Sequence, residues 1–313
     1  MTVGPHILVY SRHPEEFGSW LTEHGCPGTV TTATSPQEVA HVLNDIEIVL
    51  CARIPANLLS NAGKLRWIQS MNAGIEDLVA ADLPDGVIVT RAVDLFGGPI
   101  AEYVFAELLA RVRELDRLQA LQQKRTWEHF ISGTLAGRTL GVAGLGSIGG
   151  EIVRKGRVFD MGVYGLSRST TRANSVDRHF TPDRWSEFVR DLDVLVLTLP
   201  LTRETEGVVN SGVLASMRPD SILVNVGRGR VVNERDLVHA LEESRIGGAI
   251  LDVFEREPLP AESPLWSLPG VTVTPHISGP STVEGVGELF LQNLRRYLDG
   301  RRLWGIVDRT LGY

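Results

Sequence analysis

Six nearly continuous apolar runs follow one another from residue 139 onward: TLGVAGLG from Thr139, GVYGLS from Gly162, DVLVLTLP from Asp193, SILVNVG from Ser221, GAILDVF from Gly248 and VTVTPHI from Val271. A strand with one wet face alternates apolar and polar residues. Runs without alternation mark strands covered on both faces, as in a parallel sheet wrapped by helices. Segments of helical spacing separate most of the runs, so the pattern predicts a six-stranded doubly wound domain. The first third repeats the scheme, with HILVYS, IEIVLCA, LRWIQSM and VIVTRA as strands and PEEFGSWLTEHG as a helix. The fold class is therefore α/β, with two domains built on parallel, doubly wound sheets.

Between them, IAEYVFAELLARVRELDRLQALQQ is periodic throughout and has Pro99 at its start, which predicts one long linking helix. The tail STVEGVGELFLQNLRRYLDG reads as an amphipathic helix without a strand of its own, returning to the first domain. Residues 1–98 plus 281–313 then form one domain and 99–280 the other. A length of 313 residues with 43% hydrophobic and 22% charged residues suits two such cores. The net charge of −7 argues against a nucleic-acid or anionic-membrane binder. Cys26 and Cys51 form no disulfide framework, the N-terminus lacks a leader pattern, and no run is long enough to span a bilayer, so a cytoplasmic location is expected. His6, His13, His24, His41, His129, His179 and His239 are scattered without metal-ligand spacing, so no metal is expected.

The first of the six runs ends in GLGSIG, residues 144–149, directly before a helix-spaced segment. Glycine weakens regular structure, so a cluster at a strand-to-helix junction implies that something approaches the backbone. Gly144 allows the tight turn, Gly146 admits a pyrophosphate and Gly149 packs helix on strand, while Leu145, Ser147 and Ile148 complete the turn that faces a dinucleotide. An NAD site places Asp or Glu about 20 residues on, to accept from the ribose 2′-hydroxyl. Here the second strand ends in Ser167, Arg168 and Ser169, with Arg172 following. Hydroxyls and guanidinium suit a 2′-phosphate, so NADP(H) is preferred, with NAD(H) as the alternative.

Arg228, Glu257 and His276 each follow a later strand, where open α/β sheets bind ligands. Together they make a candidate anion anchor, an orienting carboxylate and an acid. At this point the chain resembles the D-isomer-specific 2-hydroxyacid dehydrogenases, through GLGSIG, LPLTRETEGVVN, MRPDSILVNVGRGRVVNERDLVHAL, LDVFEREPLP and TPHISG in that order. The resemblance implies an active site in the cleft between two Rossmann-like or flavodoxin-like domains. By it, Arg228 binds the substrate carboxylate, His276 exchanges the proton with the oxygen on C2, and Glu257 pairs with His276. It also implies that Asn72, Ala73 and Gly74 form the loop that binds the substrate carboxylate. Leu199, Pro200, Thr205, Val226, Gly227, Asp252, His276 and Gly279 would line the cofactor. For Asp252 a turn or helix cap is the competing reading. Trp127 resembles a tryptophan that reaches a partner's site in some relatives, against a blander role as a helix-capping aromatic. The implied activity is reduction of a small 2-oxoacid, glyoxylate or hydroxypyruvate, by a homodimer. Phosphite oxidation, oxidation of another D-2-hydroxyacid with NAD, and nucleotide sensing without catalysis are the alternatives.

Overall fold

In the computed structural model, which describes residues 4–60 and 62–309, every apolar run named above forms a strand, and two further strands join them. The chain folds as two units, one running up to Phe96 and resuming at Ser281, the other Gly97–Pro280.

The first unit contains β1 (His6–Tyr10), β2 (Thr29–Ala33), β3 (Ile48–Cys51), β4 (Trp67–Ser70) and β5 (Ile88–Thr90). They pair in parallel in the order β2-β1-β3-β4-β5. All residues of β3 and β4 are buried, as their unbroken apolar character requires. The C-terminal helix, Val283–Leu298, belongs to this unit. Thr282 caps it by accepting from the Gly285 amide at 3.2 Å, and its apolar face packs Phe290 on Trp67 with ring centroids 5.2 Å apart. A buried polar network tightens the same seam. Asn293 donates to Gln69 Oε1 at 3.0 Å, and Thr90 donates to the same oxygen at 2.8 Å.

The second unit holds β6 (Thr139–Ala143), β7 (Gly162–Leu166), β8 (Arg178–Phe180), β9 (Val194–Leu197), β10 (Ile222–Asn225), β11 (Gly248–Leu251) and β12 (Val271–Val273). The order is β12-β11-β10-β9-β6-β7-β8, all parallel, and the order in which strands are added reverses between β6 and β9. This sheet has seven strands where the sequence pattern predicted six. The two unpredicted strands, β2 and β8, are both sheet edges. TVTTA and RHF are only partly buried and carry the polar residues an edge tolerates, so neither shows an apolar run.

The predicted linking helix is also corrected. It is two helices, Gly97–Val112 and Leu115–Gln123, separated at Glu114, whose φ is +53°. The first buries Ile100, Ala101, Val104, Phe105 and Leu108, and its Arg111 donates to the Gly247 and Gly270 carbonyls at 2.7 and 2.8 Å. The second buries none of its residues. Trp127 follows it in a stretch without regular structure and is wholly exposed, so it does not cap a helix.

Candidate active site

The glycine turn joins β6 to the helix Ser147–Val158, whose first residue follows Gly146 as cap. Gly144 has φ +98°, and a Cβ there would lie 2.8 Å from Thr198 Oγ1. A Cβ on Gly149 would collide with the Gly144 carbonyl, so this residue lets the helix sit against the turn. Around the missing side chain of Gly146 no described atom lies within 4 Å. The first-turn amides of the helix have no intrahelical acceptor, so the open turn fits a pyrophosphate.

At the end of β7 no carboxylate is present between Leu166 and Arg172. Ser167 Oγ donates to the Ser169 carbonyl at 2.7 Å. Its one proton is thereby spent, so His179 Nε2, 2.9 Å away, is the donor to the same oxygen. His179, unremarkable in the sequence, is thus a support of this loop, and only the pairing of the edge strand β8 with β7 reveals it. Arg168 is one of the charges that hold the exposed Glu204 carboxyl below its ordinary range, after the Thr202 hydroxyl. Arg172 Nη1 donates to the Gly146 carbonyl at 2.7 Å. Thr205 Oγ1 donates to the Pro200 carbonyl at 2.6 Å and accepts from the Thr202 amide at 2.8 Å, fixing the turn after β9 that carries Leu199.

Arg228 follows β10 in a loop held by backbone packing. Asn225 Oδ1 accepts from the Gly227 amide at 3.1 Å, and its Nδ2 donates to the Arg228 carbonyl at 3.0 Å. A Cβ on Gly227 would lie 2.9 Å from the Leu199 carbonyl oxygen, and one on Gly229 would collide with the backbone of Phe254. The loop after β10 is thus pressed between those after β9 and β11, with Val226 and Gly227 buried and Arg228 half-buried.

Glu257 and His276 come together. Glu257 Oε1 accepts from the Phe254 amide at 3.1 Å, while Oε2 lies 2.8 Å from His276 Nδ1. The carboxylate can only accept, so Nδ1 carries a proton and Nε2 is left as the atom that exchanges one. The His276 side chain is 50% exposed and that of Glu257 35%. His276 has φ +55°, a conformation costly for a residue with a Cβ. Asp252, with no exposed surface, holds it there. Its Oδ1 accepts from Thr274 Oγ1 at 2.6 Å and the Ile277 amide at 2.9 Å, and its Oδ2 from the Ser278 amide at 2.9 Å. This is the turn-cap arrangement. Thr274, which sequence reasoning passed over, also bonds Tyr103 Oη at 2.7 Å, and because Thr274 donates to Asp252, Tyr103 is the donor.

In the first unit, Asn72 spends its side chain on the Ala52 carbonyl at 2.7 Å and its amide on Ser70 Oγ at 3.0 Å. The amides of Ala73 and Gly74, next in the chain, have no backbone acceptor among the described residues. Among the described residues there is no cluster of three metal-ligating side chains, and no helix is long and apolar enough to cross a membrane.

Residues 105–278 match the family model for the D-isomer specific 2-hydroxyacid dehydrogenase, NAD binding domain. The chain is similar to glyoxylate/hydroxypyruvate reductase A of Serratia proteamaculans, at 31% identity over 85% of this chain and 88% of that one. It resembles the crystal structure of a D-isomer specific 2-hydroxyacid dehydrogenase family protein from Aeromonas salmonicida, with a TM-score of 0.91 and 35% identity, covering 98% of this chain and 99% of that one. It also resembles the NADPH-dependent glyoxylate/hydroxypyruvate reductase of Sinorhizobium meliloti in complex with NADP and sulfate, with a TM-score of 0.89 and 30% identity, covering 99% and 100%.

Proposed function

We propose, from the premise that this chain belongs to the D-isomer specific 2-hydroxyacid dehydrogenase family and is an NAD(P)-dependent oxidoreductase acting on 2-oxoacids, that it reduces glyoxylate or hydroxypyruvate with NADPH. The observation that carries the reaction is the Glu257–His276 pair at 2.8 Å, which leaves Nε2 to deliver a proton. A bound nicotinamide supplies a hydride to the carbonyl carbon. Arg228 binds the substrate carboxylate through its planar guanidinium and polarises the carbonyl. His276 protonates the oxygen on C2, and Glu257 fixes the ring by accepting from its Nδ1. Asp252 acts through His276, by holding its backbone. The second unit is the dinucleotide-binding domain and the first the substrate-binding domain, where the Ala73 and Gly74 amides take an anion role.

The cofactor preference rests on the end of β7, where Ser167, Arg168 and Ser169 stand in place of a carboxylate that would repel a 2′-phosphate. A homodimer is favoured by the helix Leu115–Gln123, which buries nothing, and by Trp127 and Ile131 at 100% and 92% exposure. A panel of 2-oxoacids assayed with NADPH and NADH side by side tests the whole reading. Binding of NADPH without reduction of any 2-oxoacid would overturn it in favour of a nucleotide sensor.

A further inference from the structure

The segment that leaves β7 does not return directly to β8 but runs along the helix Ser147–Val158 and is fastened to it at two places. Near the helix C-terminus, Arg157 donates to the Ser175 carbonyl at 3.1 Å and to Asp177 Oδ1 at 2.8 Å. Asp177 Oδ2 in turn accepts from the Val163 amide at 2.7 Å, so this end is tied to β7 as well. At the helix N-terminus the tie is Arg172, whose Nη1 donates to the Gly146 carbonyl at 2.7 Å. The Arg172 backbone is itself set, its carbonyl accepting from Ser175 Oγ at 2.7 Å and from the Ser175 amide at 3.0 Å.

The second tie depends on a missing side chain. A Cβ on Gly150, in the first turn of the helix, would collide with Arg172 Nη1. Gly150 lies outside the three glycines of the fingerprint, and the helix would be better formed with alanine there. We infer that Gly150 is a cofactor-specificity position: by lacking a side chain it admits the Arg172 guanidinium onto the Gly146 carbonyl. That bond sets the spacing between the glycine turn, which takes the pyrophosphate, and the Ser167–Thr171 loop, which takes the 2′-phosphate. Arg172 is then a positioning residue, not a phosphate ligand. The inference rests on the NADPH reading proposed above.

Its consequence is selective. The pyrophosphate site is common to both cofactors, whereas only NADPH uses the far loop, so breaking the tie penalises NADPH alone. Binding constants for NADPH and NADH, measured by calorimetry on the full chain, test this for Gly150→Ala, Arg172→Ala and the double variant. Each single variant should weaken NADPH about tenfold, the scale of one charge-assisted hydrogen bond, and leave NADH within twofold, which also shows that the fold is intact. The double variant should be no weaker than either single one, because both remove the same bond. Unchanged or tighter NADPH binding by Gly150→Ala would make the displaced Arg172 a direct phosphate ligand and overturn the inference. Equal losses for both cofactors would place Arg172 on the pyrophosphate and overturn it too. Tighter binding of NADH than NADPH by the unmodified protein would instead bring down the cofactor reading, and the inference with it.

Discussion

Replacing Asp252 by Asn separates two roles the residue could have, support for His276 or contact with the nicotinamide. The side chain is isosteric, so no cavity forms, but its bonding changes in a definite way. Oδ1 accepts two hydrogen bonds and Oδ2 one. The better orientation of the asparagine keeps its oxygen toward Thr274 and Ile277 and turns its amide against the Ser278 N–H, donor to donor. One bond to a charged acceptor, of roughly 1.5–3 kcal/mol, is lost, and two others weaken to neutral strength of about 1 kcal/mol each, so a destabilisation of about 2.5–7 kcal/mol is expected. For a unit of this size that lowers Tm by at least about 5 °C. The left-handed backbone at His276 then loses the bonds that hold it, and kcat/KM for the 2-oxoacid should fall more than about tenfold through kcat, because a displaced general acid is a poor one. NADPH affinity, measured by fluorescence, should not move. A lost affinity with turnover per bound cofactor unchanged would refute the support role and place Asp252 against the cofactor.

His276→Ala should lose about 10²- to 10⁴-fold in kcat while binding NADPH normally in a direct titration. Glu257→Gln replaces the charged acceptor of the Nδ1 proton by a neutral one, weakening a bond of roughly 1.5–3 kcal/mol to about 1 kcal/mol, so kcat should fall several-fold with NADPH affinity unchanged in a direct titration; an unchanged kcat excludes the pairing as the support of the ring. Arg168→Ala should weaken NADPH and spare NADH, with added salt weakening NADPH further in the unmodified protein, since the contact is exposed. Light scattering at micromolar concentration should give twice the chain mass, and a charged residue in place of Trp127 or Ile131 should lower it; a monomer in the unmodified protein excludes the dimer.

The sequence made the central architecture legible because buried parallel strands announce themselves as apolar runs, and because the glycine turn is a local device whose parts lie within six residues. What it concealed is of two kinds. Edge strands such as Arg178–Phe180 bury too little to leave a pattern, and with β8 unread, the bond between His179 and Ser167 could not be anticipated. The helix break at Glu114 is equally silent, since periodicity on both sides of it is helical. Asp252 illustrates the other kind. Its residue type fits a ligand contact or a cap equally well, and the three donors that reach it come from residues 22 to 26 positions later, too far along the chain for any local pattern to show. Arg172 lies only four residues after Arg168, and nothing local in the sequence shows that its guanidinium donates to the Gly146 carbonyl.

Arg228 Nη1 donates to the Gly227 carbonyl at 2.7 Å, and backbone packing sets the position of the loop that carries both residues. A Cβ on Gly229 would meet the carbonyl carbon, oxygen and Cα of Phe254, none of which can rotate aside as a side-chain tip could. Gly229→Ala must therefore push the loop after β10 away from the loop after β11. Phe254 donates its amide to Glu257, so the same displacement reaches the carboxylate that orients His276. One methyl group thus disturbs the anion anchor and the acid together, at an overpacking cost of about 1–3 kcal/mol. Its loss of kcat/KM should exceed that of Glu257→Gln, which leaves Arg228 in place. Gly63→Ala is the control, because that residue is exposed and, its chain neighbours aside, no described atom lies within 4 Å of its added Cβ, so activity should be unchanged. Wild-type kcat/KM in folded Gly229→Ala would show that the loop accommodates the methyl group, and that backbone packing does not set the position of Arg228.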